Sequence, residues 1–312
     1  MKHTAHSMRS LLFVPGDGER KLAKAADAGA DVVILDLEDA VAVDAKVAAR
    51  ERVRAFLKMP RSGAAPQYWV RINALDSRDA LLDLSAIVRA APHGLMVPKV
   101  AHPSELTGLS KVLSELEAEV GIAPGSTRLI PMLETPRGIL TAGDYLQLRL
   151  ERLSGITWGA HDLAAAMGVQ ASGGSGDGGD GSSDSGGSGG GEWHFVLRSA
   201  QVQCLLVASA LAVAAIDTVT TNFKNSDALR AACLRSRAAG FTGKLAIHPD
   251  QVKVIAEVFQ PSTAELEHAR RVIAAFAAAP GTGAIALDGT MLDIVHLHAA
   301  QRLLDGQPGP KA

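Results

Sequence analysis

Leu129-Ile-Pro-Met-Leu-Glu-Thr-Pro-Arg-Gly138 and Ile156-Thr-Trp-Gly-Ala-His-Asp-Leu163 share one design. A short apolar run ends in or just before a carboxylate, Glu134 in one and Asp162 in the other, and helix-favouring sequence follows. Such a run bounded by turn residues reads as a buried strand, so both acids sit at the same kind of strand exit. Working outward, further apolar runs cover residues 11–14, 32–37, 68–72, 95–97, 216–219 and 245–247, giving eight in all. Ala/Leu/Arg/Glu-rich segments at 19–28, 45–57, 77–90, 103–120 and 226–239 favour helix between them, and 193–215 reads as one long helix. Strict alternation implies a parallel sheet with right-handed crossovers, and eight repeats predict an α/β chain closed as a (β/α)8 TIM barrel. An open doubly wound sheet is the alternative, but Val-Pro-Gly-Asp-Gly-Glu at the first turn is a poor match to its Gly-x-Gly-x-x-Gly fingerprint.

The predicted organisation is a barrel over 1–280, interrupted by a Gly/Ser/Asp-rich insertion at 172–191, and a C-terminal helical arm over 281–312. The insertion has no side chain that could anchor a core and is expected to be disordered. Its Gly173-Gly-Ser-Gly-Asp-Gly-Gly-Asp-Gly181 lacks the period and apolar position of calcium-binding nonapeptide repeats. Placed after the sixth strand, it is expected to be a passive expansion or a mobile cover. Residues 261–279 read as a helix closing the barrel, and 294–304 as a helix in the arm.

Composition narrows the function classes. The 312 residues are 47% hydrophobic with a formal net charge of -2, which gives no electrostatic reason to expect nucleic acid or an anionic membrane as partner. No apolar run approaches the length of a membrane span. Only Cys204 and Cys233 occur, so neither a disulfide framework nor a thiolate metal site is indicated. The polar residues before the first run include no signal region, and a cytoplasmic location is expected. A small-molecule enzyme remains the natural reading.

The run ends are rich in polar residues: Asp36, Glu38 and Asp39, then Arg71 and Asn73, Lys99, Glu134, Asp162, Asp217 and His248. A helix cap or an ion pair would explain any one of them. In a barrel they collect at the C-terminal face, where active sites of this fold lie.

Eight strings in order carry a resemblance: Ser10-Leu-Leu-Phe-Val-Pro-Gly16, Asp31-Val-Val-Ile-Leu-Asp-Leu-Glu-Asp-Ala-Val41 with Lys46 and Arg50, Val70-Arg-Ile-Asn73, Val97-Pro-Lys-Val100, Leu133-Glu-Thr-Pro-Arg-Gly138, Gly159-Ala-His-Asp-Leu163, Ala215-Ile-Asp-Thr-Val219 and Gly243-Lys-Leu-Ala-Ile-His-Pro-Asp-Gln251. Together they resemble the citrate lyase beta subunit-like (CitE-like) family of the HpcH/HpaI aldolase superfamily over all of the chain except the insertion. The resemblance implies a barrel assembled as a homotrimer or hexamer. It also implies a Mg²⁺-dependent lyase, with Mn²⁺ a possible substitute, that breaks or forms a carbon–carbon bond beside a coenzyme A thioester. The substrate would be a 3-hydroxyacyl-CoA such as malyl-, citramalyl- or citryl-CoA, giving a 2-oxo acid and an acyl-CoA. Alternatives are the beta subunit of a citrate lyase complex acting on acyl-carrier-protein thioesters, or a malate synthase/thioesterase-type variant.

Roles follow from the same strings. Glu134 and Asp162 resemble the protein ligands of Mg²⁺, and Arg71 the arginine whose fork holds the substrate carboxylate. Glu38 and Asp39 would orient Arg71 or metal-bound waters. Phe13, Arg20 and Lys24 match positions that contact the coenzyme, and Ile247 with His248 the stretch lining its pantetheine end. Ala286-Leu-Asp-Gly-Thr-Met-Leu-Asp-Ile-Val295 resembles the C-terminal string whose aspartate, here Asp293, serves as acid/base in a neighbouring subunit; a helix cap is the competing role. His161 departs from the small or acidic residue common at its position.

Overall fold

A computed structural model of the chain describes residues 8–60, 65–169 and 195–305. The Gly/Ser/Asp-rich insertion lies outside the described residues. Two compact units are present, one from Met8 to Glu257 and the other from Val258 onward.

In the first unit eight strands alternate with helices. The first half runs β1 Ser10–Pro15, α1 Glu19–Ala25, β2 Val32–Asp36, α2 Lys46–Leu57, β3 Gln67–Arg71, α3 Arg78–Ile87, β4 Gly94–Val97 and α4 Ser104–Glu119. The second half runs β5 Arg128–Leu133, α5 Pro136–Leu140, β6 Gly155–Trp158, α6 Ala160–Met167, α7 Phe195–Ala210, β7 Ala214–Asp217, α8 Ser226–Ala239, β8 Gly243–Ala246 and α9 Pro249–Phe259. All strand pairs are parallel, and β1 pairs with both β2 and β8, so the sheet closes as a (β/α)8 barrel. The strands are continuous apolar runs because both faces are covered, by the barrel interior on one side and by helices on the other.

Inward-facing Leu11, Val32, Ile34, Trp69, Met96, Ile130, Met132, Ile216 and Leu245 form one buried cluster. Trp69 occupies this interior because Gly94 on the next strand has no side chain: a Cβ there would lie 2.4 Å from the indole ring. Register then sets the site. Pro15 pairs with Asp36 and Asp36 with Arg71, which brings three strand exits side by side at the C-terminal mouth. The long helix expected over 193–215 instead ends at Ala210, and Ala214 and Ala215 already belong to β7. The reversal occurs at Ala212, whose φ of 54° takes it out of the helical region.

The second unit contains α10 Thr263–Ala278, the antiparallel hairpin β9 Ala284–Leu287 and β10 Thr290–Asp293, and α11 Ile294–Asp305. Ala269, Val272 and Phe276 of α10 share a small core with Leu292 and Ala300. Helix α10, assigned to the barrel by the sequence reading, is thus packed within this unit. A capping box of Ser262 and Glu265 starts it.

Candidate active site

Five carboxylates and two cations from five strand exits meet at the barrel mouth. Arg71, the last residue of β3, donates from Nε and NH2 to the two oxygens of Asp36 at 2.8 and 2.5 Å. Its NH1 lies 3.1 Å from Oε2 of Glu38, and its guanidinium carbon stands 4.7 Å above the centre of the Phe13 ring. The fork is therefore locked in place from the side and from below, and although burial opposes its charge, the hydrogen bonds and negative charge of Asp36, with Glu38, keep Arg71 charged. Asp36 also accepts from the Glu38 amide at 2.9 Å, which shapes the loop after β2. Lys46 secures the same loop by donating to the carbonyls of Leu37 and Glu38 and to Asn73. Asn73 is held in turn by buried Asp83, which pairs with Arg50.

Lys99 is the second cation. The sequence reading noted it at a run end but gave it no role. Its ammonium bonds Glu38, reaches Asp39 at 3.2 Å and lies 4.0 Å from Asp162, while its backbone amide donates to Glu134 at 2.9 Å. The residue adopts φ 55°. That left-handed conformation costs of order 1–3 kcal/mol for a side-chain-bearing residue and turns amide and ammonium into the same mouth. The signal was present in Val97-Pro-Lys-Val100, a lysine placed directly at the exit of a buried strand.

Glu134 follows β5 and is 2% exposed. Thr135 caps α5 by accepting from the Gly138 amide, and Pro136 fits its first turn, so the chain after Glu134 is fixed. Burial, together with the negative charge of Asp162 and Glu38, pushes the Glu134 carboxyl up to about 8. Burial also pushes Glu38 upward against the pull of Arg71 and Lys99. Asp39 shows the reverse balance: burial opposes its ionisation, yet the Lys99 ammonium holds it below the usual carboxylate range. Asp162 lies in the first turn of α6, where the helix N-terminus favours a negative charge. Gly159 makes the approach of the two exits possible, since a Cβ there would lie 2.3 Å from Oε2 of Glu134.

The two cations thus occupy Asp36, Glu38 and Asp39, and the mouth keeps a formal excess of three negative charges. Among the described residues Glu134 makes no ion pair, and Asp162 has only the Lys99 ammonium at 4.0 Å. Among the described residues no group of three or more His, Cys, Asp or Glu side chains forms a ready metal cage. Two mutually repelling oxygen donors fit a hard divalent cation that retains several waters or substrate oxygens.

Other expected residues fall elsewhere. Asp217 does not join the mouth. It accepts from Trp158, Gln201, Ser236 and Lys244, and Gln201 and Ser236 belong to α7 and α8, so it sits between the barrel wall and its helices. Alternation along β7 explains this, because inward-facing Ile216 sends its neighbour outward. Arg20 and Lys24 are exposed one turn apart on α1, whose buried side carries Leu22 and Ala25. Phe13 supports Arg71. The half-exposed His248 ring stacks on Phe223 at 4.4 Å, a partner not singled out in the sequence, and Gln251 ties down the amides of Ile247 and His248. In the second unit Asp293 accepts from the Val295 amide at 3.0 Å and contacts His296, so it caps α11. The His296 contact holds its exposed carboxyl below the ordinary value.

The family model for HpcH/HpaI aldolase/citrate lyase matches residues 9–249. A (3S)-malyl-CoA thioesterase of Cereibacter sphaeroides is 35% identical over 306 residues, covering 97% of this chain and 96% of that protein. The citrate lyase subunit beta of Haemophilus influenzae is 31% identical, covering 95% of this chain and 96% of that protein. Among solved structures, protein CitE from Mycobacterium tuberculosis, crystallised with magnesium, acetoacetate and coenzyme A, superposes with a TM-score of 0.72. It is 32% identical and covers 96% of this chain and 98% of its own.

Proposed function

The chain belongs to the HpcH/HpaI aldolase/citrate lyase family, and from that premise we propose that it is a Mg²⁺-dependent carbon–carbon lyase acting on a 3-hydroxyacyl-CoA. One observation carries the reading. In a mouth where every other carboxylate is held by a cation within 3.2 Å, Glu134 and Asp162, the latter only 4.0 Å from Lys99, are left as an oxygen pair for a divalent ion. That ion supplies Lewis-acid polarisation of the oxo-acid oxygens, worth several kcal/mol of barrier.

The chain's own residues do the rest. Glu134 and Asp162 hold the ion. Arg71, oriented by Asp36 and Phe13, binds the substrate carboxylate with the guanidinium hydrogens that neither Asp36 nor Glu38 occupies. Glu38 acts through Arg71 and Lys99, and Asp39 through Lys99. The ionised Asp293 of a neighbouring copy takes the substrate hydroxyl proton as the carbon–carbon bond breaks toward the thioester, and returns it to the α-carbon of the acyl-CoA enolate, so that the products are a 2-oxo acid and an acyl-CoA. A cap on α11 leaves that carboxylate one free oxygen for the purpose. Arg20 and Lys24 receive coenzyme phosphates, while Ile247 and the His248–Phe223 stack flank the pantetheine arm. Asp293 acting in a neighbouring copy requires a homo-oligomer, which we propose to be a trimer or hexamer located in the cytoplasm.

A second reading, the beta subunit of a citrate lyase complex working on carrier-protein thioesters, is favoured by the Haemophilus influenzae relative. Assaying the purified chain with Mg²⁺ and both thioester forms separates the two. Turnover of free coenzyme A thioesters supports the first reading, and turnover of carrier-protein thioesters alone supports the second. Calorimetry on Glu134→Gln tests the site, since unchanged Mg²⁺ affinity would remove this carboxylate from it.

A further inference from the structure

We propose that Lys99 is a built-in counter-ion that restricts the divalent metal to Glu134 and Asp162 by withholding Glu38 and Asp39. The inference rests on the Mg²⁺ reading above and concerns a residue to which that reading gives no role of its own.

The geometry is unusual for a lysine. Through one backbone amide and one ammonium Lys99 touches Glu134, Glu38 and Asp39, and it stands 4.0 Å from Asp162. Asp36 is the one mouth carboxylate outside its reach, and Arg71 already has that. The left-handed backbone at 55° is what lets both ends of the residue face inward. Without that ammonium the mouth would carry a formal excess of four negative charges and offer four oxygen-bearing side chains to a cation. Four carboxylates would bind an ion tightly and fill its coordination positions with protein, leaving few for a chelating substrate. An ammonium is a compact, fixed charge that cannot itself ligate a metal, so it neutralises Glu38 and Asp39 while keeping them out of the coordination sphere. Its place beside Asp162 also raises the energy of a cation there, which moderates affinity. Lys99 is therefore a positioning residue. It shapes the ligand set rather than touching the reacting atoms.

The test is Mg²⁺ binding by calorimetry on the full-length protein without substrate, which needs no activity. Lys99→Met keeps the backbone amide on Glu134 and removes the ammonium. It is expected to bind Mg²⁺ at least tenfold more tightly, or to take up a second ion. Glu38→Gln combined with Asp39→Asn has the opposite effect: it frees the ammonium to turn toward Asp162 and weakens Mg²⁺ at least tenfold. Lys99→Arg retains near wild-type affinity. A role limited to structural support predicts weaker binding for Lys99→Met, and that result, or unchanged affinity, overturns the proposal. If Lys99→Met does not fold, the double variant decides alone, with unchanged or tighter binding overturning the idea. Wild-type protein that binds no Mg²⁺ defeats the metal reading itself, and this inference with it. Wild-type binding with unresponsive variants defeats only the role of Lys99.

Discussion

Replacing Gly159 with alanine would put a methyl group 2.3 Å from Oε2 and 2.7 Å from Cβ of Glu134. Neither partner can retreat easily. The Gly159 amide is bonded to the Leu133 carbonyl at 3.2 Å, and Glu134 is buried with its Oε1 on the Lys99 amide at 2.9 Å. A contact with Cβ cannot be relieved by rotating the carboxylate alone, so the exits of β5 and β6 must part. Overpacking of this kind costs about 1–3 kcal/mol of stability. For a barrel of this size that lowers Tm by roughly 2–4 °C per kcal/mol. The effect on the metal is expected to be larger in relative terms, because disturbing the support of a ligand typically costs about 10–100-fold in affinity. Thermal unfolding and a Mg²⁺ titration by calorimetry measure both. Gly159→Ala that stays folded and binds Mg²⁺ within twofold of wild type would refute the claim that the approach of these two exits builds the site.

Further expectations follow from the same geometry. Because the Glu134 carboxyl is pushed up to about 8, a proton must leave when Mg²⁺ binds, so affinity should rise as pH climbs toward 8 and level off above it. Flat affinity between pH 6 and 8 would contradict the burial argument. The same shift has a stability consequence: the metal-free native state binds a proton that the unfolded chain releases near 4.5, so this contribution is present below 4.5 and is lost as pH rises through 8. The Tm of metal-free protein should therefore fall over that window, and saturating Mg²⁺ should restore it. Asp36→Asn releases the Arg71 fork and should lower kcat/KM by about 100-fold with Mg²⁺ affinity retained, as expected for lost substrate positioning. Lys244→Met leaves Asp217 charged and unpaired in a site 2% exposed, which should cost about 3–5 kcal/mol by denaturant unfolding.

The barrel was legible because its strands are short uniform apolar runs separated by helix formers, a pattern that local composition fixes. The carboxylates of the mouth were legible for the same reason, since residues at strand exits share one face whatever the details. What the sequence could not supply was which way each polar side chain turns. Asp217 sits at a strand end like Glu134, yet one step of alternation sends it outward to Lys244. Arg71 stood out in the sequence as a candidate substrate residue, but its clamp by Asp36 depends on the register between β2 and β3. Lys99 escaped because its importance lies in a left-handed backbone, and no residue type in Val97-Pro-Lys-Val100 requires one. The end of α7 was overshot because an alanine-rich sequence reads as helix on both sides of Ala212.

Product analysis on a 3-hydroxyacyl-CoA carrying a carboxylate on its hydroxylated carbon, such as malyl-CoA, tests the central claim most directly. The account predicts equal amounts of 2-oxo acid and acyl-CoA in a reaction that a chelator abolishes and Mg²⁺ restores. Release of free coenzyme A with the intact hydroxy acid, and no 2-oxo acid, would mark the chain as a hydrolase like its (3S)-malyl-CoA thioesterase relative and contradict carbon–carbon cleavage at this mouth.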